Sequence, residues 1–239
     1  MKDHKVVFNF YHTTITTYFC SAMITTVIYD MDGLLLDTEP LWGESMLRIA
    51  GKNNINITAK QFKETTGLRI YEVTDHWAIH YPWEGKTARE VADEILEDII
   101  DSSKKHGMVL KGVEQSLQLL RKNNYKIGLA SSSAKRMIDE LIAHFGLTHY
   151  FDVITSADAV DLGKPHPAVF LHCAQLLGSK PHECLVLEDS VNGMIAGKAA
   201  RMKVVVVPDA AHFNDPRFAI ADAKLNSLEE FDIDFVKGF

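Results

Sequence analysis

Apolar residues along the chain fall into two rhythms. Short, near-continuous runs recur at 24–29, 126–130, 151–155, 183–187 and 203–207, with the length and β-branched content of strands buried on both faces. Between the later runs, apolar residues return at helical spacing: Val113, Leu117 and Leu120; Met137, Leu141, Ile142 and Phe145 ahead of Gly146; Val169, Phe170, Cys173, Leu176 and Leu177 between Pro167 and Gly178. Proline in a first turn and glycine past a last one are the expected helix punctuation. Strand and helix alternating in this order predict an α/β fold, a doubly wound parallel sheet.

The interval from Leu41 to Gly107 breaks that rhythm, because it carries helical patterns and no convincing β run. It reads as an inserted α-helical cap. Thr87-Ala88-Arg89-Glu90 is a capping-box signature opening a long helix, whose stripe of Val91, Ile95, Leu96 and Ile99 should pack inside that cap. The expected organisation is therefore a core over 23–40 and 108–239, a helical cap over 41–107, and an extension outside the core over 1–22. That extension is too polar and interrupted to span a membrane. Its charged start and Ser21-Ala22 fit a cleavable signal weakly, while Asn9, His12 and several threonines spoil the apolar segment, so an upstream start codon is the preferred reading.

Composition narrows the function classes. A chain of 239 residues, 46% of them hydrophobic, can bury a substantial core, and a net charge of −7 gives no electrostatic reason to bind nucleic acid or an anionic membrane. Cys20, Cys173 and Cys184 have neither metal-ligand spacing nor the density of a disulfide framework, which points to a reducing, cytoplasmic setting. The expected partner is a small molecule, and the expected state a monomer with a dimer left open.

Chemistry concentrates where strands end, because a doubly wound sheet gathers the C-terminal ends of its strands along one edge. The first run ends in Asp30-Met31-Asp32-Gly33, the second in Ser131-Ser132-Ser133, the third leads to Gly163-Lys164-Pro165, and the fourth ends in Glu188-Asp189. Singly, each has a plainer explanation: an Asp-Gly turn, a serine helix cap, a surface lysine, an acidic helix start. Together they describe a site for a divalent cation and a phosphate. A carboxylate attacks an anionic phosphate ester only when charge is neutralised, which Mg²⁺ with oxygen ligands does. Asp30 is then the nucleophile, Asp32 the acid and base, Lys164 the counter-charge, Ser131 and Ser132 the hydroxyls facing the phosphoryl oxygens, Asp189 the metal anchor and Glu188 its neighbour.

These four motifs resemble those of the haloacid dehalogenase superfamily, over Met23 to about Leu228. The run 34–40, Leu-Leu-Leu-Asp-Thr-Glu-Pro, and the helical insertion resemble its β-phosphoglucomutase-like branch. The segments 67–70, 81–83, 187–194 (which includes Asn192) and 214–218 resemble the bacterial hexitol phosphatase and 2-deoxyglucose-6-phosphatase group within it. The resemblance implies a Rossmann-like core with a mobile cap and a small sugar or polyol phosphate as substrate. It also implies Mg²⁺ held by Asp30, the backbone carbonyl of Asp32 and Asp189, with Glu188 and Asn192 supporting. The extension over 1–22 has no counterpart in the family pattern.

In the cap, Arg69 could reach the far end of a bound substrate or form a surface salt bridge, and in related mutases an arginine at the matching place grips a distal phosphate. His76 and His80 stand at helical spacing without an evident third ligand, and Trp42, Trp77 and Trp83 could face a sugar or fill a core. The expectation is a phosphatase of hexose or hexitol phosphates acting through an aspartyl phosphate. The alternatives are phosphoryl transfer between sugar hydroxyls and a sugar-phosphate binding protein without turnover.

Overall fold

In the computed structural model, which describes residues 23–58, 61, 65 and 68–239, six parallel strands form one sheet. They are β1 (Thr26–Tyr29), β2 (Lys126–Ser131), β3 (Val153–Ser156), β4 (Cys184–Glu188), β5 (Lys203–Val206) and β6 (Ala223–Lys224). The extension over 1–22, Cys20 and Gly67 lie outside the described residues. Spatial order is β3-β2-β1-β4-β5-β6, so the chain reverses its direction of winding between β1 and β4 and opens a crevice at their carboxyl ends. Five strands coincide with the apolar runs within a residue or two. β6 is two residues long and leaves no periodic signal.

Successive strand residues point to opposite faces, and two apolar clusters result. Val27, Tyr29, Ile127, Leu129, Leu185, Leu187 and Val205 face one cluster, and Ile28, Ala130, Cys184, Val186, Val204 and Val206 the other. Helices α4 (Val113–Lys122) and α5 (Lys135–His144) contribute to the first, through Leu117, Leu120, Met137 and Leu141. Helices α6 (Ala168–Leu176) and α7 (Val191–Ala199) contribute to the second, through Val169, Phe170, Cys173 and Met194. A short terminal helix, α8 (Ile233–Lys237), adds Val236 to the first cluster.

The cap is helical. It comprises α1 (Glu39–Lys52), α2 (Ile70–His80) and α3 (Ala88–His106), numbered before α4 along the chain. A third apolar cluster joins them, with Met46, Ile49, Val73, Trp77, Val91 and Ile95. The capping box is formed: Glu90 N–H donates to Thr87 Oγ1 at 3.2 Å, and Thr87 N–H donates to Glu90 Oε2 at 2.8 Å. Helix α3 is shared between layers, since Val91 and Ile95 lie in the cap cluster while Leu96, Ile99 and Ile100 lie in the main core. Among the described residues no helix is long and apolar enough to cross a membrane.

Candidate active site

Parallel pairing puts Tyr29 level with Leu129 on one side and with Leu187 on the other. One residue further, Asp30, Ala130 and Glu188 stand side by side on three neighbouring strands. Lys164, delivered by the loop after β3, bonds to all three. Its Nζ donates to Asp30 Oδ1 at 2.5 Å, Glu188 Oε1 at 2.7 Å and the Ala130 carbonyl at 3.0 Å. It also lies 4.6 Å from the centroid of the Phe170 ring. A lysine so placed has used all three of its donors.

The second oxygen of Glu188 accepts from the backbone N–H groups of Asp189 and Ser190, each at 3.0 Å, and from Ser190 Oγ at 2.9 Å. Ser190 Oγ in turn accepts from Gly193 N–H at 3.0 Å and caps α7. Glu188 is thereby locked as a positioning group. Two glycines make the room. A Cβ at Gly193 would lie 1.6 Å from Glu188 Oε1, and one at Gly33, whose φ is +74°, would lie 2.2 Å from Asp189 Oδ2. The turn after β1 therefore brings its backbone against the Asp189 carboxylate.

Asp32 is held by a separate set. Thr38 Oγ1 and Trp42 Nε1 donate to its Oδ1 at 2.5 and 3.2 Å, and Ser133 Oγ donates to its Oδ2 at 2.6 Å, with Ser131 Oγ at 3.5 Å. Ser131 Oγ also accepts from Ser133 N–H at 3.0 Å. Helix α5 starts after Ala134 without a side-chain cap, so the serine run serves the site rather than the helix. Ser132 Oγ is buried and has no hydrogen-bond partner among the described residues, an open hydroxyl after the end of β2 that calls for an acceptor.

Negative charge exceeds positive charge here. Ligand oxygens of Asp30, Glu188 and Asp189 lie within 4.8 Å of one another. Burial, opposed by Lys164 and reinforced by Glu188 and Asp32, raises Asp30 to about 8. Burial, then the carboxylates of Glu188, Asp30 and Glu39, raise Asp189 well above the ordinary carboxylate range. Lys164 moves oppositely: although burial disfavours its charge, Asp30 and Glu188 hold its pKa above the usual lysine value. A cluster of hard oxygen donors that lacks the cationic charge to keep all its members ionised suits a divalent cation of the Mg²⁺ or Ca²⁺ type.

The profile of the haloacid dehalogenase-like hydrolases matches residues 27–207. The chain belongs to that family. Hexitol phosphatase B of Escherichia coli K12 is 42% identical over 208 residues, covering 87% of this chain and 94% of the relative. A β-phosphoglucomutase from Clostridium difficile superposes with a TM-score of 0.77 at 26% identity, covering 90% of this chain and 96% of that one. CbbY from Rhodobacter sphaeroides, solved with phosphate, superposes with a TM-score of 0.81 at 21% identity, covering 91% of this chain and all of that one. The family's Rossmann-like sheet is the one described above.

Within this haloacid dehalogenase-like frame, the residues singled out in the cap have partners of their own. Arg69 Nη1 donates to the carbonyls of Ala157 and Val160 at 3.1 and 3.0 Å, and Nη2 donates to Asp161 O at 3.0 Å and Glu72 Oε1 at 2.6 Å. Trp77 is wholly buried in the cap cluster and Trp83 packs against it. Trp42 alone of the three reaches the site, through Asp32. The rings of His76 and His80 meet at a tilt of 42° with centroids 4.3 Å apart, and among the described residues no third ligand joins them. Asn192 sits half-buried on the first turn of α7, unbonded to the carboxylates.

Thr38, Trp42 and Ser133 as holders of Asp32 escape the sequence reading, as do Gly33 and Gly193 as spacers. No period in the sequence marks Ser133, because β2 ends at Ser131 and the chain bends at 132–133.

Proposed function

We propose that the protein is a Mg²⁺-dependent phosphatase that hydrolyses monophosphate esters of small sugars or sugar alcohols through an aspartyl phosphate. The observation that carries the reading is a buried lysine, Lys164, bridging Asp30, Glu188 and β2 in a cluster with surplus carboxylate. Likeness to a hexitol phosphatase over nearly its whole length supports the substrate class. The carboxylates of Asp30 and Asp189 and the backbone carbonyl of Asp32 would hold Mg²⁺, since both oxygens of Glu188 are already engaged. Bound there, the ion supplies the positive charge that keeps Asp30 ionised and draws the phosphoryl oxygens inward.

The residues then divide the work. Asp30 attacks phosphorus, and the P–O bond to the sugar breaks. Asp32 gives its proton to the departing alkoxide oxygen, then takes one from the water that cleaves the aspartyl phosphate and frees inorganic phosphate. Lys164 fixes Asp30 Oδ1, so the nucleophile is oriented before substrate arrives. Ser132 Oγ, buried and without a partner among the described residues, is a ready donor for a phosphoryl oxygen. Buried thiols at Cys173 and Cys184 without a disulfide between them suit a cytoplasmic enzyme.

Phosphate release across a panel of hexose and hexitol phosphates, with and without Mg²⁺, tests the reading. Release should need the ion and should fall by at least about 10³-fold in Asp30→Asn, the scale of losing a catalytic nucleophile. Isomerisation of glucose 1-phosphate with little phosphate release would replace the phosphatase by a mutase. Full activity in Asp30→Asn would remove the aspartyl phosphate.

A further inference from the structure

Arg69 stands at the N-terminal end of cap helix α2, yet its guanidinium is bonded into the core. Its acceptors, the carbonyls of Ala157, Val160 and Asp161, belong to the loop between β3 and Lys164. The side-chain stem lies along the last residue of that loop, since a Cβ on Gly163 would sit 3.3 Å from Arg69 Cγ. Glu72, one turn into α2, accepts from both the backbone N–H of Arg69 at 2.9 Å and its guanidinium. An arginine has five N–H donors, and four are spent here, three on the core and one on a carboxylate that cancels the charge. The side chain is 20% exposed, so these bonds are partly shielded from water and worth more than those of a surface pair.

Resting on the phosphatase reading above, we propose that Arg69 is a cap-to-core latch and a specificity determinant. It fastens the cap to the loop that delivers Lys164, and with Glu72 it removes from the cap seam the free positive charge that a second phosphate would need. The site thereby selects monophosphates of uncharged polyols over bisphosphates. Arg69 acts through the loop and is a positioning residue; the reacting atoms are left to the strand ends.

Two measurements decide. Hydrogen exchange, which needs no substrate, should show the amides of residues 158–163 exchanging at least about tenfold faster in Arg69→Ala than in the wild-type chain. Arg69→Lys should not restore protection, since three donors on one nitrogen cannot span four separated acceptors. In steady-state assays the wild type should favour sorbitol 6-phosphate over glucose 1,6-bisphosphate about 100-fold or more in kcat/KM, a ratio that a single well-placed charge can produce. Glu72→Gln, which leaves the guanidinium uncancelled, should shrink that ratio at least about tenfold, chiefly through KM for the bisphosphate. Unchanged loop exchange in Arg69→Ala would overturn the latch. A wild type that prefers the bisphosphate, and loses that preference in Arg69→Ala, would show the arginine reading a distal phosphate. Absence of phosphate release from every ester would fail the proposed function alone, and the exchange comparison would still decide the latch.

Discussion

Two Lys–Glu pairs of almost equal length hold different parts of this molecule. Lys164 meets Glu188 at 2.7 Å with side chains 5% and 1% exposed, and Lys104 meets Glu140 at 2.6 Å with both 32% exposed. The first pair sits at the strand ends beside Asp30; the second joins cap helix α3 to core helix α5. Distance does not separate them, and solvent does. At the buried pair each charge has lost its hydration and depends on its partner, so removing one strands the other. At the surface pair water replaces whatever is lost. The chemistry of the core is thus built from groups that cannot be altered singly, while an exposed ion pair at the seam that carries the cap can change at little cost. A fold of this kind can keep one reaction and exchange substrates.

The largest break in that comparison comes from Lys164→Met, which leaves Asp30 and Glu188 buried without their cation. Chemical denaturation should show a loss of about 3–5 kcal/mol, with phosphatase activity gone. Gly193→Ala sharpens the point because two effects oppose each other. Within a helix, alanine in place of glycine ordinarily stabilises by up to about 1 kcal/mol. Here the new Cβ would stand 1.6 Å from Glu188 Oε1, so the variant should instead lose about 1–3 kcal/mol by overpacking and disturb the bond to Lys164. Stabilisation in this variant would mean that Glu188 is free to move.

Smaller still is Ser133→Ala, which removes one of the donors on Asp32 and leaves Thr38 and Trp42 in place. Its kcat should drop about tenfold, a fraction of the 10²–10⁴ that a positioned acid–base group contributes, with little change in thermal midpoint. An equal loss of stability and activity would make Ser133 a packing residue.

What could be read from the sequence follows from how far each contact reaches along the chain. Asp30, Lys164 and Glu188 were legible because each adjoins an apolar run or a proline loop, and sheet topology alone brings strand ends together. The donors of Asp32 were not: Ser133 reaches it from the bend after β2, and Thr38 and Trp42 from the turn and helix that follow Asp32. Only the direction of side chains reveals that convergence. Arg69 is the sharper case. Its residue type and its place in the cap are visible, but whether its guanidinium points into the substrate cleft or across to the carbonyls of residues 157–161 depends on how the cap cluster meets the core. Strand β6 went unseen because two residues carry no period.

The smallest expected effect belongs to Lys104→Met, the surface counterpart of Lys164→Met. Loss of its bond to Glu140 should cost less than about 1 kcal/mol, and the cost should shrink further as salt is added. Glu140 keeps its contact with Arg136 at 2.9 Å, so no charge is stranded. The joint between α3 and α5 rests instead on buried carbon: Leu96, Ile99 and Ile100 share one cluster with Met137, Ile138 and Leu141. Denaturant titrations of the two methionine variants at low and high salt are the direct check. A salt-insensitive loss of several kcal/mol in Lys104→Met would place the seam in the same energetic class as the strand-end site, and the contrast between a fixed core and an exchangeable cap would fall.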